Sequence, residues 1–291
     1  MLVLVACRLI SLAAQPLPEA TGDLVLLDVV VTNDRGEAVG DLTAADFSVK
    51  EDGRLVDIKT FAAVSGQADD DPHSLVLLLD DLAVPRSGSS VMQLIARAIV
   101  DRVPARDEVA VVRLSQPSDE AFGDRILARE RIAAFRGSTE PYVDPFAPQE
   151  MLRRFAAVSE QIASLETSRK TVVCIGAPII CNTIEPSRNQ RAHRALWVSA
   201  LGAASRANVA AYAIIPGRVR FRSGGLPEYT GGRLFAGASS FETVLNQILQ
   251  DTRQYYMLGY WPSGQSRELH EIEVKVSKKG AKPLFRKRRA A

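Results

Sequence analysis

The sequence predicts an α/β fold, a doubly wound and mostly parallel sheet, joined to a small antiparallel β domain built from both ends of the chain. Two observations carry this. From Ser74 to about Trp261, short apolar runs alternate with stretches of helical period, the pattern of strands connected by covering helices. On either side of that region apolar and polar residues alternate with period two, as in strands with one buried and one wet face. At 291 residues and 46% hydrophobic, the chain has enough apolar surface for such a core.

Taken in order, the first stretch is "MLVLVACRLISLAA", after which the composition turns polar and Pro-rich. It is shorter than the roughly 20 apolar residues that span a bilayer. Ser11 to Gln15 offers the small residues that a signal peptidase accepts. Residues 1–15 are therefore read as an export signal, although a basic start is missing, and the protein is expected to be periplasmic or extracellular. Cys7 would leave with the signal.

Residues 20–65 read as the N-terminal part of the β domain. Val29 and Val31, then Phe47 and Val49, then Val56, Ile58 and Phe61 alternate with polar neighbours, and Asp34-Arg35-Gly36 and Asp52-Gly53 mark turns between them. A polar, acidic connector runs from Gly66 to His73. The α/β domain is placed at 74–262. Its strands are expected at Leu75 to Leu79, Glu108 to Leu114, Thr171 to Ile175 and Val209 to Ile215. Its helices are expected over Ser90 to Val103, Glu150 to Leu165 and Arg191 to Arg206, with a fourth opened by the capping box Ser239-Ser240-Phe241-Glu242. Residues 265–291 complete the β domain: Ile272, Val274 and Val276 alternate with charged residues. A lone strand leaves an open edge, so this one is expected to pair with the N-terminal strands.

The net charge of +2 hides an asymmetry. Lys278, Lys279, Lys282, Arg286, Lys287, Arg288 and Arg289 fall in the last 14 residues with no acid among them, which leaves the rest of the chain net acidic. A basic excess confined to a tail does not describe a nucleic-acid binder. The tail reads as a solvated end, able to contact an anionic surface. Cys174 and Cys181 have no zinc-ligand spacing; Cys174 reads as a small core residue, and an oxidising compartment permits a disulfide. His73, His193 and His270 have no evident partners. Neither a Gly-x-Ser-x-Gly elbow nor a phosphate-binding Gly-x-x-x-x-Gly-Lys loop is present.

The stretch that suggests chemistry is "SLVLLLDDLAVPRSGSS", a buried strand running into Asp80 and Asp81. A first strand ending in Asp80, a helix after it and a later strand "RKTVVCIGAP" resemble the von Willebrand factor type A domain. The segment "DVVVTNDRGEAVGDLTAADFSVKEDG" and the tail "TGGRLFAGASSFETVLNQILQDTRQYYMLGYWP" with "HEIEVKV" are similar to the VWFA-related domain family of exported bacterial proteins. The likeness runs from about Gly22 onward.

The resemblance implies a Rossmann-like fold and a role in protein binding. In that family an Asp-x-Ser-x-Ser strand end, a Thr from a second loop and a later Asp hold Mg²⁺ or a similar cation, whose open position takes a partner's carboxylate. Here Asp80 stands at the first position, but Leu82 and Val84 occupy the two Ser positions, and Ile175-Gly176-Ala177-Pro178 stands where the later Asp belongs. Thr139 is the candidate second-loop hydroxyl. Ser87, Ser89 and Ser90 lie beyond the motif's spacing. Asp80, Asp81 and Thr139 are thus the candidate metal ligands, and the expectation is a degenerate site without metal or other cofactor, one carboxylate capping the next loop through backbone amides. The function expected is a non-enzymatic adhesion or scaffold module for a protein partner. The alternative is a hydrolase or nucleotide-binding enzyme using the crevice at the strand carboxyl ends near Asp80.

Overall fold

A computed structural model describes residues 24–65, 72–116, 124–139, 143–165, 167, 169–187, 189–217, 224–237, 240–262 and 268–290. The export signal read at 1–15 lies outside them, as does most of the acidic connector. In chain order the elements begin with β1 (Val25–Thr32), β2 (Phe47–Glu51), β3 (Arg54–Val56), β4 (Ile58–Ser65), β5 (Ser74–Leu79), α1 (Ser89–Arg102), β6 (Glu108–Arg113), α2 (Arg125–Ala134), α3 (Ala147–Ile162) and β7 (Lys170–Ile175). They continue with α4 (Pro178–Cys181), α5 (Arg191–Ala207), β8 (Val209–Ile215), α6 (Leu226–Thr230), β9 (Leu234–Ala236), α7 (Phe241–Arg253), β10 (Gln254–Tyr260), β11 (Leu269–Val276), β12 (Lys282–Phe285) and β13 (Arg288–Ala290).

The central sheet is parallel throughout, in the order β6-β5-β7-β8-β9. Every residue of β5, β7 and β8 is buried, which is why these strands read as unbroken apolar runs. On one face Phe155 and Val158 of α3 and Trp197 and Leu201 of α5 pack on Val76, Leu78 and Val172. On the other, Met92 and Ile95 of α1, Ile132 of α2, and Val244 and Ile248 of α7 cover Leu75, Leu77, Leu79 and Val173.

Both chain ends build the β domain, as expected. One antiparallel sheet has the order β12-β1-β10-β4 and the other β13-β11-β2-β3. Their facing side chains, Leu27, Val29 and Val31 with Phe47, Val49, Tyr256, Leu258, Ile272 and Val274, form one shared core, so the two sheets make a sandwich. The expected pairing of the 272–276 segment is with β2, in register Val274 to Val49. The turn between β2 and β3 takes left-handed backbone at Asp52 (φ 49°) and Gly53 (φ 78°), the twist that a two-residue hairpin requires.

Several elements differ from the sequence reading. The boundary expected at 262 groups β10 with the α/β region, but β10 hydrogen-bonds between β1 and β4 in an antiparallel sheet. The basic tail is not a solvated end. Residues 282–285 and 288–290 are strands, Arg286 and Arg289 are buried, and Arg289 Nε donates to the buried Glu51 at 2.6 Å. The cap of α7 is Ser240, whose Oγ accepts from Thr243 N, while Glu242 instead pairs with Arg102; Ser239 lies outside the described residues. His270 and His73, which lacked evident partners, face Asp52 at 2.9 Å and Asp107 at 3.7 Å.

Candidate functional site

Strand order reverses at β5: the chain goes from β5 outward to β6, then crosses back to β7 on the other side. That makes the gap between the carboxyl ends of β5 and β7 the crevice in which doubly wound sheets bind ligands. Asp80, the residue after β5, stands at this point and is fully buried.

Its carboxylate is already engaged on both oxygens. Oδ1 accepts from Leu82 N at 3.0 Å and Ala83 N at 2.8 Å, and Oδ2 accepts from Ala177 N, across the crevice, at 2.8 Å. Burial pushes the Asp80 pKa up, and the three amides together pull against that shift. Gly176 makes the bridge feasible. A Cβ there would lie 2.2 Å from Asp80 Cβ and 2.6 Å from Oδ2.

Leu82 packs toward the α3 and α5 face, and Val84 toward the α1 and α2 face. Asp81 is partly exposed and accepts from both the backbone and the hydroxyl of Ser115, after β6. Thr139 is exposed, although its loop does lie beside the first one: Ser138 N donates to Val84 O at 2.8 Å and Arg86 N to Ser138 O at 3.0 Å. Ser89 stitches the same junction, its hydroxyl donating to Arg86 O and accepting from Gly137 N. Among the described residues no group of three or more His, Cys, Asp or Glu could hold a metal ion. The Asp80 carboxylate is thus taken up by three backbone amides, and the side chains of Leu82 and Val84 beside it offer no oxygen donor.

Cys174 and Cys181 form a disulfide, so Cys174 is not simply a small core residue, although it does lie in the core. The bond ties β7 to α4, across the loop that carries Gly176 and Ala177. Sequence reasoning missed Ser115, Gly176 and the Ala177 amide; only the glycine in "CIGAP" hinted at a close approach.

At the same end of the sheet two large apolar side chains are exposed. α3 runs antiparallel to the strands, so its N-cap Phe146 lies at their carboxyl end, as does α4, which follows β7 directly and packs against α3. Phe146 is 65% exposed and Ile179 52%.

The order of the parallel sheet and its helix-covered faces define the chain as an α/β protein of the doubly wound class, carrying a β sandwich made from its two ends. No family model matches the sequence, and no curated protein does. Among solved structures it is similar to the human COPII-coat protein Sec24c (10% identity, TM-score 0.40, covering 79% of this chain and 46% of that one). It is also similar to proximal thread matrix protein 1 from the mussel byssus, solved with a zinc-occupied MIDAS motif (13%, 0.40, 68% and 49%). A third is a variant of the PilB minor pilin from Streptococcus sanguinis (9%, 0.39, 63% and 63%). The match thus takes in about half the length of the first two proteins.

Proposed function

We propose that the chain is an exported, non-enzymatic module of von Willebrand A-like build that binds a protein partner at the carboxyl end of its parallel sheet without a metal ion. The observation that carries this reading is the Asp80 carboxylate bridged to the Ala177 amide, which spans the crevice where a cation or a small substrate would sit. Recognition then falls to the surface around it, where Phe146 and Ile179 are exposed. Exposed large apolar side chains can anchor a protein interface. The disulfide supports export, because such bonds persist in oxidising compartments. A hydrolase or nucleotide-binding enzyme at the same place would need the space that Asp80 and Ala177 bridge.

The test is thermal unfolding with and without millimolar Mg²⁺. A cation at 100 times its Kd would stabilise the fold by about 2.7 kcal/mol, a rise of several degrees at roughly 2–4 °C per kcal/mol for this size. No shift is expected. A shift abolished by Asp80→Ala, and absent with monovalent salt of equal ionic strength, would overturn the reading. Phe146→Asp with Ile179→Asp is expected to abolish capture of partners from envelope extracts while leaving the melting temperature unchanged.

A further inference from the structure

Sheet edges present rows of unsatisfied amides and carbonyls, and native proteins guard them with charge, proline, bulges or brevity. In the two antiparallel sheets the outer strands are β12 and β4 on one, β13 and β3 on the other. Three of these are guarded. β12 has four residues, including Lys282 and Pro283, while β13 and β3 have three each, with Arg288 and Arg289 in one and Arg54 in the other.

β4 is different. It runs for eight residues, without proline and with one charge, Lys59. That lysine sits at a bulge: Thr60 faces Gly259 but Ile58 faces Tyr260, so Lys59 is skipped in the register with β10. Beyond the bulge, Thr60-Phe61-Ala62-Ala63-Val64-Ser65 carries no charge and no fully buried residue. No described strand pairs with its outer edge.

We propose that this edge joins two copies of the chain, β4 against β4 and antiparallel, about a twofold axis at Ala62. Neighbouring antiparallel pairs alternate between hydrogen-bonded and non-hydrogen-bonded, while pairs related by the axis must be alike, so the axial residue has to face its own copy. With Ala62 on the axis, Phe61 faces Ala63, Thr60 faces Val64, and Lys59 faces Ser65. The strand's single charge never opposes itself, whereas an axis at Lys59 would set two lysines face to face. A second copy is the occupant because the uncharged segment is complementary to itself in this register, and pairing would continue one sheet from copy to copy. The surface lies in the β sandwich, and the proposal does not rest on the partner-binding reading above.

Sedimentation of the purified chain over a concentration series into the high micromolar range tests this. A reversible monomer–dimer equilibrium is expected. Ala62→Lys and Ala62→Asp are each expected to sediment as monomers with the circular dichroism of the parent chain, and their equimolar mixture as a dimer, because opposite charges then face each other at the axis. A parent chain that stays monomeric at every concentration overturns the proposal, and so does a dimer that survives Ala62→Lys. If the β4 amides of a monomer gain protection from exchange only when an extended peptide is added, the edge belongs to a foreign strand and self-pairing is wrong.

Discussion

Asp80 and Gly176 form one unit across the gap between β5 and β7. The carboxylate reaches the Ala177 amide because the residue before it has no side chain, and any Cβ at 176 would collide with Asp80. Gly176→Ala is expected to cost about 1–3 kcal/mol through this overlap, read as a lower urea midpoint; an unchanged midpoint would contradict the close approach. Asp107 shows the opposite balance of forces. Burial works against its charge, but hydrogen bonds from His73 and the Arg253 guanidinium outweigh burial and hold the carboxyl below its usual range. A carboxyl depressed in the folded state contributes stability that is present above the unfolded value, about 3.9, and is lost as pH falls through the folded value. Asp107→Asn should therefore cost most near neutrality, and its deficit should shrink as pH drops below about 4. A deficit constant across that window would remove the electrostatic account. Asp80 was visible in the sequence as a carboxylate at a strand end; Ser115, His73 and Arg253 were not visible as partners, because each reaches its carboxylate from a distant segment.

At the scale of elements, covalent and capping devices fix the loops around the crevice. The disulfide closes a loop of eight residues between β7 and α4. Chain entropy assigns such a loop about 2.5 kcal/mol. Cys174→Ala with Cys181→Ala should lower stability by about that amount in denaturant melts; equal stability would show that packing alone holds the loop. Helix α2 begins at an Asp124 side chain that accepts from Ile126 N and Leu127 N, both at 2.9 Å. Its loss in Asp124→Ala should cost about 1 kcal/mol, measurable by the same melts. The long amphipathic helices α1, α3, α5 and α7 were legible from their apolar period. The short α4 and α6, and the three-residue β9, were not, because so few residues establish no period and only neighbouring elements hold them in place.

Across the whole molecule, the sandwich and the parallel sheet meet through buried charge. Asp28 of β1 accepts from Asn208 Nδ2 at 2.9 Å, Arg286 donates to Asn208 Oδ1 at 2.8 Å, and Arg169 lies 4.0 Å from Asp28 and over the ring of Tyr255. Burial pushes the Asp28 carboxyl up, with Arg169, Asn208 and Arg286 opposing that shift. Removing one member of such a set leaves uncompensated buried charge. Asp28→Ala is expected to destabilise by about 3–5 kcal/mol, with the sandwich and the α/β part unfolding in one transition in the parent chain and separately in the variant. A single transition of unchanged midpoint would show that the network contributes little.

The sequence by itself determined the architecture of this protein, because the apolar periods of two and of 3.6 residues act locally and declare which face each strand or helix must bury. It also showed that Leu82 and Val84, which offer no side-chain oxygen, follow Asp80. Only the tertiary structure decided where β10 and the basic tail belong, how Cys174 is bonded, and that the Asp80 carboxylate spans the crevice to Ala177. Those outcomes depend on which distant backbone and charged groups come within hydrogen-bonding reach once the sheets have packed, and no local period encodes that.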